Sequence, residues 1–100
     1  MESRMRTAAL RLLWAARGVH VEQHGGDEES FRVGTTLDLV AAGERTGLPT
    51  GSEPHELALE WLADADAIEP APMYQEPVGG PIYRVTARGL EILRDEGEFR

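Results

Sequence analysis

Residues 57–68, LALEWLADADAI, leave little choice about local structure. Leu57, Ala58, Trp61, Leu62, Ala65 and Ile68 recur at spacings of three and four, so they share one arc of a helical wheel and mark an amphipathic helix packed by that face. Ser52 is a good N-cap for it, and Pro54 is tolerated in the first turn, where the missing N–H had no partner to lose. Beyond Ala67, Pro70 and Pro72 confine IEPAPMYQ to an edge or irregular strand. Pro77-Val78-Gly79-Gly80-Pro81 is turn chemistry, and Ile82-Tyr83-Arg84-Val85 combines β-branched and aromatic residues. A helix running into a β-hairpin is the frame the other segments must fit.

Residues 5–17, MRTAALRLLWAAR, are dominated by strong helix formers and meet Gly18 with Arg17 in the last turn, where the helix dipole favours a cation. Met5, Ala9, Leu12, Leu13 and Ala16 share one face of this helix, and Leu10 and Trp14 widen the apolar arc beyond it. Residues 19–34 read as short extended segments around a flexible acidic loop at about 23–31, which contains Gly25, Gly26, Asp27, Glu28 and Glu29. Thr35, with Asp38 three residues on, has capping-box spacing and predicts a second helix that buries Leu37, Val40 and Ala41 and ends near Thr46-Gly47. Thr86 caps a last helix, ARGLEILRDEG, that buries Leu90 and Leu93 and stops at Gly97.

One hundred residues match one domain, residues 1–100, with enough chain for a modest core. No apolar run approaches the roughly 20 residues a membrane helix needs, and Arg4, Arg6, Arg11 and Arg17 interrupt any secretory core, so a cytoplasmic protein without membrane contact is expected. The absence of cysteine excludes disulfides, thiolate metal sites and cysteine nucleophiles. The net charge of −8 is unevenly distributed. Residues 1–17 carry four arginines against Glu2, whereas residues 52–77 carry Glu53, Glu56, Glu60, Asp64, Asp66, Glu69 and Glu76 with no base. An acidic domain repels the phosphate backbone that supplies most non-specific DNA affinity, so duplex DNA starts as a disfavoured partner.

In LDLVAAGERTGLP, ELALEWLADADAIEP and YRVTARGLEIL, the order of elements resembles the winged helix-turn-helix domain of small bacterial transcriptional regulators. The expected fold is therefore α+β, mainly helical: a winged helix-turn-helix with a three-helix core, β-hairpin wing and C-terminal helix. In that family the third helix usually presents Arg, Lys, Ser, Asn or Gln to DNA. Here Glu53, Glu56, Glu60 and Asp64 follow at spacings of three and four and form an acidic ridge instead. Several ångströms from a phosphate, each would cost ~0.5 kcal/mol even at the dielectric of water. One reading is a plain solvated face. The sharper reading is a docking surface for a basic protein, with Glu53, Glu56, Leu59, Glu60 and Asp64 as its residues and His55 and Asp66 on the flank. The alternative is a DNA-binding regulator that contacts the backbone through Arg84 and Arg88 of the wing and closing helix and through Arg4 and Arg6.

His20, Glu22 and His24 alternate, so in an extended segment they would project from one side as weak metal-ligand candidates; in a helix the two histidines would also align. Leu10 and Trp14 form a candidate homodimer seam, which the resemblance also implies through the family's use of terminal helices. Against that, Trp14 could pack under the last helix with Ile92 or Phe99. No phosphate loop, nucleophile elbow or histidine-linked serine is present, so neither an enzyme nor a cofactor is expected.

Overall fold

The structure, a computed structural model, describes residues 2–71 and 82–96. It is mainly helical, with four α-helices and a small antiparallel pair of strands: α1 Glu2–Gln23, α2 Leu39–Thr46, α3 Glu53–Asp64, β1 Ile68–Pro70, β2 Tyr83–Val85 and α4 Ala87–Glu96. β1 and β2 pair with Ile68 opposite Val85, Glu69 opposite Arg84 and Pro70 opposite Tyr83. The turn expected at residues 77–81 lies outside the described residues.

α1 is longer than its sequence predicts. It runs through Gly18, at a cost of about 1 kcal/mol relative to alanine, because apolar residues continue beyond it: Val19 is buried and Val21 packs against the core. The helix stops instead at Gly25, which adopts φ +68. There the Gly26 amide donates to the Val21 carbonyl and the Gly25 amide to the Glu22 carbonyl, the bonding pattern of a Schellman cap. His20 and Glu22 are therefore helical, with His24 in the capping turn, and not in an extended segment. The expected acidic loop also carries local order, since Asp27 caps a single 3-10 turn at Glu28–Ser30 and Glu28 accepts a 2.8 Å hydrogen bond from Arg17.

α2 starts three residues later than capping-box spacing suggests. Asp38, not Thr35, is the N-cap, accepting from the Ala41 amide at 3.0 Å. Thr35 and Thr36 are drawn away by the sheet: Thr36 forms a bridge with Arg84, the Val85 amide donates to the Thr35 carbonyl, and the Leu37 amide donates to the Tyr83 carbonyl. A short extended segment thus lines the free edge of β2. Starting at Leu39 rotates the helix so that Ala42 and Gly43 face inward, while Val40 is 58% exposed.

The core lies between α1, α2, α3 and the sheet, with α1 packed against the three other helices. Leu10, Leu12, Leu13, Leu62 and Val85 are fully buried there. Two glycines set close approaches. A Cβ on Gly43 would collide with the Leu48 carbonyl, and one on Gly89 would collide with the Ala67 carbonyl and Val85. No helix among the described residues is long and apolar enough to cross a membrane.

One exposed ion pair joins two helices. The Arg45 guanidinium donates twice to Glu22, both bonds at 2.7 Å, and these hydrogen bonds hold the Glu22 carboxyl below its ordinary value of 4.5 and push Arg45 up. A carboxyl depressed by folding stabilises above its unfolded pKa and loses that contribution as pH falls through the folded one. Glu22→Gln is therefore expected to be slightly less stable than the parent at neutral pH, with the difference vanishing in acid. Urea unfolding of both proteins across that range checks this, and a difference independent of pH would contradict it.

Candidate interaction surface on the third helix

Ser52, at φ −77 and ψ 155, opens α3 by accepting from the His55 amide, and its hydroxyl donates to the Pro49 carbonyl at 2.6 Å. Glu53 and Glu56 occupy the first turn, where the helix dipole favours anions. The inward side is built from His55, Ala58 and Leu62, at 2%, 1% and 0% exposure. His55 thus belongs to the core and not to the outer flank. Its Nδ1–H donates to the Leu48 carbonyl at 2.8 Å and its ring lies against Gly43, so it fastens the turn between α2 and α3.

Glu53, Glu56, Glu60 and Asp64 are all exposed, on the side of α3 opposite that core face. None of the four forms an ion pair among the described residues. The ridge is therefore one continuous strip of uncompensated charge. Leu59 is only partly exposed and packs against the core, so it borders the strip instead of crowning it. Asp66 serves as the helix stop: it adopts φ 60, the Ala67 amide donates to the Leu62 carbonyl, and the Thr86 hydroxyl donates to the Asp66 carbonyl.

The arginines of the alternative reading divide into two groups. Arg84 donates to Glu69 at 3.0 Å across the strand pair, and Arg88 donates to Glu91 at 3.1 Å within α4. A carboxylate thus offsets each of these two cations where it would have to meet a phosphate. Arg4 is exposed, Arg6 is partly buried, and Arg4 and Arg11 flank a shallow hollow shared with Thr46 and Leu48.

The chain matches no protein family model, no curated protein and no solved structure.

The remaining candidate residues are dispersed or buried. Glu22 turns toward Arg45, while His20 and His24 stack on one another with ring centroids 4.0 Å apart. Among the described residues, no three metal-ligating side chains converge. Leu10 is fully buried and offers no surface to a second molecule. Trp14 is partly buried against the core cluster that includes Ile92, with the Arg17 guanidinium 5.2 Å from its ring centroid. Its indole N–H is buried without a hydrogen-bond partner. Phe99 lies outside the described residues.

Proposed function

We propose that this chain is a non-enzymatic winged-helix module that docks a basic protein surface through α3, as an adaptor, an inhibitor or a mimic of DNA charge. The order of three helices, paired strands and a closing helix supports the winged-helix reading, as does the extended segment at Thr35–Leu37 beside β2. The observation that carries the functional reading is the exposed strip Glu53, Glu56, Glu60 and Asp64, with no cation among the described residues to offset it. Desolvating such a strip is costly unless opposite charge arrives with the partner, so the surface selects cationic partners and rejects anionic ones. At long range the strip steers a basic protein toward α3 and raises its association rate.

Replacing Glu56 and Glu60 together by arginine is expected to slow association with the physiological partner by about tenfold or more at low salt, with a smaller effect at high salt. Surface plasmon resonance on a partner purified with the parent protein measures this. Equal association rates for parent and double variant would remove the proposal.

The second reading, a DNA-binding regulator, is favoured by exposed Arg4 and Arg11, which form no ion pair among the described residues. It predicts duplex binding that weakens steeply with salt. A gel-shift series on mixed genomic fragments at low salt is expected to show no retardation at about 10 µM protein, the range in which non-specific binders already associate. Salt-sensitive retardation would favour the regulator.

A further inference from the structure

We propose that the open hollow between the C-terminal end of α1 and residues 35–38 binds a phosphate group. The hollow measures about 570 Å³, in the size range of small-molecule sites, and uses no residue of α3. His20, His24, Gln23, Arg32, Thr35 and Thr36 line it.

Among the acids nearby, Glu29 is exposed and forms no ion pair among the described residues, Glu22 is held by Arg45 and Glu28 by Arg17, and Asp27 and Asp38, the latter also lining the hollow, accept from the Glu29 and Ala41 amides and keep their charge. Arg32 is not engaged in this way. Its backbone amide donates to Thr35, while its exposed guanidinium makes no hydrogen bond among the described residues. A chain of net charge −8 therefore keeps one uncommitted cation at the rim of a polar hollow. Thr36 is exposed and also lines the hollow, and the Thr35 hydroxyl, whose oxygen accepts from the Arg32 amide, still has its own proton to donate.

The histidines narrow the ligand from any anion to a phosphate. His20 donates from Nε2 to the Ser30 carbonyl at 3.2 Å, and His24 donates from Nδ1 to the His20 carbonyl at 2.8 Å. Since each ring spends its N–H on a carbonyl, the second nitrogen of the neutral ring is an acceptor. The lining thus includes a guanidinium and hydroxyls suited to anionic oxygens, and two imidazoles whose second nitrogen suits a hydroxyl. Inorganic phosphate carries both features at neutral pH. Sulfate and carboxylates carry only the first.

The test is an NMR titration of the isotopically labelled protein with inorganic phosphate, sulfate and a sugar phosphate at matched ionic strength. The amides of Arg32, Thr35 and Thr36 should shift saturably with phosphate, with sulfate binding at least about tenfold more weakly. Arg32→Gln should weaken phosphate binding by about tenfold, the scale of one charge-assisted hydrogen bond. His24→Phe keeps a ring over His20 but removes one of the two acceptors, so it should reduce the preference for phosphate over sulfate. If the sugar phosphate binds more tightly than free phosphate, the ligand is an ester whose organic part fills the rest of the hollow; weaker binding identifies free phosphate. Non-saturating shifts, equal affinity for sulfate, or unchanged binding by Arg32→Gln would overturn the proposal. The docking function of α3 would stand in either case.

Discussion

Leu10→Ala is expected to destabilise the protein by about 2–5 kcal/mol, the range for deleting a buried leucine and leaving a cavity its neighbours only partly fill. Leu10 sits in the middle of α1 at 0% exposure, within the cluster that joins that helix to α2, α3 and the sheet. A domain of this size has roughly 5–15 kcal/mol of stability in total, so the variant approaches unfolding at physiological temperature. Urea denaturation gives the value directly. A dimer seam at Leu10 would instead leave the monomer's stability intact and change the molecular mass by light scattering, an outcome that its burial speaks against.

Gly89→Ala is expected to cost about 3 kcal/mol, lowering the melting temperature by roughly 12–24 °C. The direction is informative, because alanine in place of an unconstrained helix glycine stabilises by about 1 kcal/mol. At Gly89 the added carbon meets the Ala67 carbonyl and the Val85 side chain. The carbonyl cannot simply swing aside, since it accepts from the Thr86 amide, and the Ala67 amide is held by the Leu62 carbonyl. α4, the end of α3 and the strand pair would have to separate together. A melting temperature that holds or rises would show that α4 does not approach the sheet this closely.

The helices were legible in the sequence because each carries its own periodicity, and their ends were legible only where the capping chemistry was local. Ser52 and Gly47 mark true ends of helices. Gly18 does not, because the apolar face continues through Val19 and Val21, and burial of those residues outweighs the modest cost of a helical glycine. Thr35 was the better cap by spacing, yet strand pairing with β2 claims its carbonyl, a long-range bond that no local pattern announces. His55 had a readable signal. It precedes Ala58 by three residues and Leu62 by seven, the spacing of a core face, and polarity alone placed it outside. The acidic ridge needed no tertiary information, because a face opposite a clear apolar arc is exposed by geometry. Engagement of Arg84 and Arg88 by Glu69 and Glu91 was less accessible: the second pair follows from i, i+3 spacing, the first from strand register.

The hydrogen bond from His55 to the Leu48 carbonyl and the close contact at Gly43 give α3 a fixed seat on α2. On the proposed reading, a charged strip on a seated helix presents the same geometry to every partner, and specificity would depend on which charges stand there and not on induced order. That is the central claim, and a photo-crosslinker at Ala63 tests it most directly. Ala63 is exposed on α3, two turns from Glu56, one turn from Glu60 and next to Asp64 along the helix. With benzoylphenylalanine at that position, irradiation of living cells is expected to give a discrete protein adduct that disappears when Glu56 and Glu60 are changed to arginine. Crosslinking to nucleic acid, or a protein adduct that survives the charge reversal, would contradict the account.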